Sequence, residues 1–183
     1  MKIAVYGKGH VGGGLADLWE RAGHQVQRLG RDGGEVSGVD VVLVSVPGKV
    51  LAEAIGKLNG AQGKTVIDAT NRFGTEPPPG FRSNAEFIKS KTNGPTAKAF
   101  NINFAALYAK LREARKPPSN LWCGDNEARA VVEQLSRDAG YDPVYAGPLT
   151  NAADQEHLIK IIFAINQGGL GPFVYRIAHP DQL

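Results

Sequence analysis

Short apolar runs alternate with longer stretches of helical spacing along this chain, which predicts strands and helices in turn. Lys2 to Tyr6 is a short apolar run and reads as a buried strand. Val11, Leu15, Leu18, Trp19 and Ala22 then recur at helical intervals, and Gly23 stands where a helix end favours a left-handed residue. Gln25 to Leu29 predicts a second strand, and Val39 to Val46 a fully buried parallel strand. Val50, Leu51, Ala54, Ile55 and Leu58 predict a helix stopped by Asn59-Gly60, and Thr65 to Ala69 the next strand. Residues 73 to 82 hold three prolines and two glycines and predict a loop. Asn84 to Lys91 predicts a short helix, Ala97 to Phe100 a strand, Leu107 to Ala114 a weak helix and Leu121 to Cys123 a strand. Asp125 is expected to cap a helix that runs through Ala139 and closes at Gly140. Asp142 to Ala146 predicts an edge strand, because Pro143 cannot donate to a ladder.

The final helix is predicted from Asn151 to Gln167. Leu158, Ile161, Ile162 and Ile165 form one face, and Ile159 and Phe163 widen it. Such a helix is too apolar to keep one side in water, so a partner subunit is expected to cover its second side. The run Gly168 to Pro172 breaks it, and Phe173 to Ile177 predicts a last strand.

Gly7, Lys8, Gly9, His10, Val11 and Gly12 read G-x-G-x-x-G, between a strand and a helix and ahead of a second strand. That context makes the motif specific. The first glycine allows a tight turn, the second lets a pyrophosphate approach the backbone, and the third lets helix and strand pack closely. Free N–H groups and the helix dipole then favour the anion. A dinucleotide-binding unit follows, and with it an α/β fold: a Rossmann-like, doubly wound, mostly parallel sheet in a single domain over residues 1–183. Residues 150–183 supply a C-terminal helix and tail available for a dimer contact.

The end of the second strand bears on the choice of dinucleotide. A carboxylate there would hold the ribose 2′-OH of NAD, whereas an arginine accommodates the 2′-phosphate of NADP. Here Gly30 is followed by Arg31, which favours NADP, with Asp32 as the alternative ribose partner; the blander reading makes Arg28 and Arg31 solvated surface charges. Residues 30 to 38 carry no helical pattern. A parallel return must cover roughly 17–20 Å along the strand and about two spacings of ~4.8 Å sideways. Nine extended residues reach roughly 30 Å, so a shortened, bare second crossover is expected. It would leave the adenine side less enclosed than usual.

Composition adds limits. Of 183 residues, 42% are hydrophobic and 21% charged, ordinary for a globular protein. The net charge is +3 without a Lys/Arg run, which argues against a nucleic-acid partner and suits an anionic cofactor. One cysteine, Cys123, precludes an intramolecular disulfide and fits a reducing compartment. No apolar run is long enough to cross a bilayer, and the N-terminus lacks a signal pattern. A cytoplasmic protein with no metal site and no membrane partner is expected.

The blocks GKGHVG (7–12), VSVP (44–47), VIDATN (66–71), KAFN (98–101), GD (124–125) and YDPVYAGPL (141–149), in this order, resemble the F420-dependent NADP oxidoreductases and the predicted dinucleotide-binding enzymes around them. The resemblance runs over nearly the whole chain. It implies NADP as cofactor, a homodimer, and hydride transfer to a deazaflavin (F420) or flavin acceptor. It makes Gly7 to Gly12 the pyrophosphate loop and Arg31 the 2′-phosphate partner. It places Val46, Pro47 and Asn71 along the nicotinamide half and Asn101 near the acceptor. Ser45 joins the cofactor residues because Ser45 to Gly48 ends its strand at the carboxyl side, where ligands lie in open α/β sheets. The chain departs from the family in its missing second helix and third strand, in Leu29-Gly30 where Gly-Ser is usual, and in a short C-terminal part.

Carbonyl reduction needs a proton donor, and the sequence offers neither Tyr-x-x-x-Lys nor a His/Asp pair; His10, His24, His157 and His179 are scattered. Hydride transfer between two aromatic cofactors needs alignment instead. The expected function is therefore an NADPH-dependent oxidoreductase with a flavin- or deazaflavin-type acceptor. A binding module or redox sensor without turnover, and a small ketone or imine reductase, are the alternatives.

Overall fold

The computed structural model describes residues 1–182. Strand β1 (Lys2–Tyr6) passes through the glycine loop into α1 (His10–Arg21), and β2 (Gln25–Leu29) follows. The crossover carries a two-residue strand, β3 (Gly34–Glu35), before β4 (Val41–Val44). Then come α2 (Leu51–Ile55), β5 (Leu58–Asn59), β6 (Thr65–Asp68), α3 (Asn84–Thr92) and β7 (Thr96–Ala99). A 3-10 helix over Ala105–Glu113 leads to β8 (Ser119–Gly124), α4 (Arg129–Asp138), β9 (Asp142–Tyr145) and α5 (Ala152–Ile165).

The main sheet has the order β2-β1-β4-β6-β7-β8-β9, and β3 pairs with β5 apart from it. The first five strands in that order run parallel. β8 is antiparallel to β7, and β9 is parallel to β8. Five strands thus end at one edge of the sheet and the last two at the opposite edge. Because their side chains alternate, each strand feeds two cores. Ile3, Val5, Val41, Leu43, Ile67 and Trp122 pack under α1 and α4. Ala4, Tyr6, Val42, Val44 and Val66 pack under α2 and α3. The result is a Rossmann-like doubly wound sheet, as the alternation of elements predicts.

Several local expectations change. The second crossover lacks a helix, as expected, but it is not bare: β3 pairs with β5, and Val36 N–H donates to the Asn59 carbonyl at 2.8 Å. That pairing draws Leu58 and Asn59 out of α2, which ends at Ile55. Asp125 does not cap the following helix with its side chain. It takes the Lys89 ammonium at 2.5 Å and the Thr96 amide at 2.8 Å instead, so tertiary partners outcompete the local one. Residues 105–113 form a 3-10 helix rather than an α-helix. Residues 173–177 form no regular strand. Their main chain meets β8 through the Ser119 amide, which donates to Tyr175 O at 2.8 Å, and through the Ser119 hydroxyl, which accepts from Ile177 N–H at 2.9 Å. α5 ends at Ile165, and a π-helical turn to Leu170 follows. Within this chain α5 is covered on one side only. Ile159 and Ile162 are buried beside Ile102, while Ile161 and Ile165 are exposed.

Candidate dinucleotide-binding site

β2 lies on one side of β1 and β4 on the other, so the sheet changes direction between β1 and β4. Ligands of open α/β sheets lie in the crevice at that switch point. The residues there are Gly7 to Gly12, at the end of β1, and Ser45 to Pro47, at the end of β4. Gly7 has φ 112°, and a Cβ on it would lie 2.6 Å from the Ser45 carbonyl oxygen. A Cβ on Gly12 would lie 2.0 Å from the Gly7 oxygen. The Ser45 hydroxyl lies 3.1 Å from both the Tyr6 and the Gly7 carbonyl oxygens, joining the loop to β4. A Cβ on Gly9, by contrast, meets nothing within 4 Å. No side chain caps α1 at Gly9. Open space thus faces an uncapped helix start, and a pyrophosphate fits there. His10 is exposed on the first turn, and Val11 packs against the core below it.

Sheet order assigns the two halves of a bound dinucleotide. The adenosine half would fall over β2 and the nicotinamide half over β4 and β6. At the end of β2, Arg28 is committed to α1, with Asp17 at 2.7 Å and Glu20 at 2.6 Å. Arg31 is exposed and has no ion pair among the described residues, and Asp32 beside it is exposed too. The Lys8 ammonium reaches the same place: a Cβ on Gly30 would lie 3.7 Å from its Nζ. Lys57 donates to the Arg31 carbonyl at 3.4 Å and pairs with Glu53 at 2.6 Å. Two exposed cations, Lys8 and Arg31, therefore stand together at the end of β2.

On the other side, Val46 is buried and Pro47 exposed. Gly48 backs onto β6's exit, since a Cβ on it would lie 2.5 Å from Asn71 O. Asn71 and Asn101 hold one another. The Asn71 amide donates to Asn101 O at 2.6 Å, and the Asn101 amide donates to Asn71 Oδ1 at 3.0 Å. Gln155 of α5 donates to Asn101 Oδ1 at 2.9 Å. Asn101 is buried and its side chain is spent on protein partners, which makes it a clamp between strand ends rather than an open ligand contact.

Beneath these asparagines lies a group of charges absent from the sequence reading. Lys98 on β7 stands in register with Asp68 on β6, and both are fully buried. The Lys98 ammonium lies 2.8 Å from Asp68 Oδ2, 3.1 Å from Glu156 Oε1 and 2.5 Å from Thr70 O. Glu156 Oε2 pairs with Arg72 Nε at 2.5 Å, and Glu156 Oε1 accepts from the Asn84 backbone N–H at 3.0 Å. Two cations and two carboxylates balance, as buried charges require. Burial pushes the Glu156 carboxyl above its ordinary range; Lys98 pulls it back, Asp68 adds to the rise and Arg72 lowers it. Lys98, Asp68 and Glu156 are sealed from solvent, so they form a structural charge cluster and not a proton donor open to a substrate. Their one signal in sequence is a charge of opposite sign interrupting each of two apolar strands, VIDA and AKAF. Among the described residues no cluster could hold a metal ion. Two surface hollows lie away from the crevice. One of about 310 Å³ sits beside Met1 and Asp40 at the other edge, and one of about 420 Å³ lies between α2 and α3.

Fold and crevice together define a protein of the Rossmann-like class with a candidate dinucleotide-binding crevice. No protein-family model and no curated protein matches the chain. Among solved structures it is similar to a candidate F420-dependent NADP-reductase of Arthrobacter sp. FB24, at 24% identity and TM-score 0.80, over 98% of this chain and 100% of that one. It is similar to a hypothetical protein of Sinorhizobium meliloti at 22% identity and TM-score 0.68, over 84% and 88% of the two chains. A reductive aminase of Aspergillus terreus in complex with NADPH shares 14% identity at TM-score 0.67, over 92% of this chain and 63% of that one. These likenesses establish the fold.

Proposed function

We propose that the protein is an NADPH-dependent oxidoreductase that passes a hydride to a flavin- or deazaflavin-type acceptor, and that it works as a homodimer through the exposed side of α5. The observation that carries this reading is the open, uncapped start of α1 over Gly9, flanked by two cations at the end of β2. The full-length likeness to a candidate F420-dependent NADP-reductase supports the acceptor class. NADPH, when bound, supplies the hydride. The chain's own residues hold and align it. Backbone amides of the glycine loop meet the pyrophosphate, Arg31 and Lys8 meet the 2′-phosphate, and Pro47 and Asn71 border the nicotinamide.

Calorimetry with NADPH and NADH tests the cofactor assignment. A hydrogen bond to a charged group is worth roughly ten- to a hundredfold in affinity. Arg31 is exposed and screened, so about tenfold preference for NADPH is expected. Arg31→Ala removes most of it and leaves NADH affinity nearly unchanged. Equal affinities in the unmutated protein refute the assignment and turn attention to Asp32. Loss of absorbance at the nicotinamide band with F420, FMN, FAD or ferric chelates tests turnover. NADPH binding without oxidation by any acceptor would favour a binding module or redox sensor, a reading to which the open adenosine side lends support.

A further inference from the structure

The segment leaving β6 (Thr65–Asp68) packs against the end of β4, where Asn71 O lies close to Gly48, and the two side chains that follow Asn71 turn opposite ways. Arg72 turns inward to Glu156, with 8% of its side chain exposed. Phe73 turns outward and is 62% exposed. Its ring is nevertheless held in place, edge-to-face on Phe163 of α5, at 5.2 Å between centroids and 77° between planes. Phe163 continues into Phe104 at 6.0 Å, and Phe104 into Phe173 at 5.5 Å. Residues 72 and 73 are thus anchored to one helix by an ion pair and a ring contact seven residues apart, at Glu156 and Phe163.

Among the described residues, two phenylalanine, tyrosine or tryptophan rings are exposed, Phe73 and Tyr145. Tyr145 ends β9, whose direction puts it at the opposite edge, and Arg129 covers its face at 4.2 Å. Phe73 is thus the exposed apolar ring at the edge where the five parallel strands end. We propose that Phe73 is the platform on which the planar ring of the acceptor stacks when it meets the nicotinamide. The proposal rests on the reductase reading above. A flat acceptor laid on the nicotinamide needs support in one orientation, and aromatic rings favour offset or edge contacts with it. A ring already immobilised on Phe163 gives that support with little further ordering, which is how hydride transfer gains from alignment. The step is balanced without further groups: the hydride leaves NADPH to give NADP⁺, and the acceptor takes it together with one proton from water.

FMN and F420 binding, read from quenching of their own fluorescence at saturating NADP⁺, tests the platform without turnover. Phe73→Ala is expected to weaken both by about tenfold. NADPH affinity by calorimetry and the melting temperature stay as they are. Phe73→Trp retains acceptor affinity, and Tyr145→Ala leaves it unchanged. In turnover, Phe73→Ala raises the acceptor KM with little effect on kcat. Unaltered quenching in Phe73→Ala overturns the platform, as does absence of quenching by the unmutated protein. Conversion of a dimer to a monomer by Phe73→Ala also overturns it, because a second copy would then be what covers the ring. Failure of NADPH to bind the unmutated protein overturns the reductase reading itself and is read separately.

Discussion

Lys98→Met removes one charge from a sealed site and keeps much of the side chain's stem. In the native protein the ammonium touches Asp68 at 2.8 Å, Glu156 at 3.1 Å and the Thr70 carbonyl at 2.5 Å. After the change, Glu156 still has Arg72 at 2.5 Å and the Asn84 backbone N–H at 3.0 Å. Asp68 keeps the Thr70 amide at 2.8 Å but loses its cation. Breaking a buried pair by removing one partner costs about 3–5 kcal/mol. The surviving Arg72–Glu156 pair confines the orphaned charge to one carboxylate, so about 3 kcal/mol is expected, at the lower end. With a urea slope of about 2 kcal/mol per molar, the unfolding midpoint falls by about 1.5 M. Adding Asp68→Asn removes the stranded charge and leaves a neutral site, and the double variant should recover more than half of the loss. Urea denaturation followed by tryptophan fluorescence measures both. A midpoint in Lys98→Met within about 0.3 M of the native one refutes the reasoning, as does a double variant whose loss is the plain sum of the two single losses.

The two motif glycines should separate binding from folding. Gly9→Ala meets no protein atom within 4 Å and should melt like the native protein, yet bind NADPH about tenfold or more weakly, because its methyl enters the pyrophosphate's place. Gly12→Ala would put a Cβ 2.0 Å from Gly7 O and should lose about 1–3 kcal/mol of stability or more in chemical denaturation. Glu156, whose folded pKa is raised, binds its proton more tightly folded than unfolded. Its titration therefore lowers stability as pH rises from the unfolded carboxylate value through the raised folded one, so native stability minus that of Glu156→Gln should fall across that window; a rise would refute the direction. Burial pushes the Cys123 thiol up to about 12, so in the folded protein iodoacetamide at pH 7.5 should leave it unmodified until denaturant is added.

Much of the first half of the fold was legible because a strand buried on both faces must be apolar throughout. KIAVY and VVLV have no other good reading, and the glycine spacing between strand and helix follows from steric limits visible in sequence. Less was legible where a partner far along the chain decides. Asp125 looks like a cap until Lys89 and Thr96 claim its carboxylate. The ribbon of β3 and β5 has two residues per strand, too few for any period to show. Asp68 and Lys98 are each a lone charge in an apolar strand and Glu156 one of several polar residues on α5, and only the register between β6 and β7, with α5 laid across it, brings them together. Asn71 and Asn101 stand out in sequence as amides just past strand ends, but nothing local shows that they bond each other or that Gln155 of α5 joins them.

The helix-free crossover between β2 and β4 bears on how long a dinucleotide stays. With only the β3–β5 ribbon between them, little protein would close over the adenosine half of the proposed cofactor, leaving it to the crevice below and to the exposed Lys8 and Arg31 at its side. Affinity differences among related sites reside mainly in departure rates, so NADPH here should come and go with each turnover instead of remaining as a resident group. The protein would then report the NADPH to NADP⁺ ratio of its surroundings directly, its own loading following the pool from one cycle to the next.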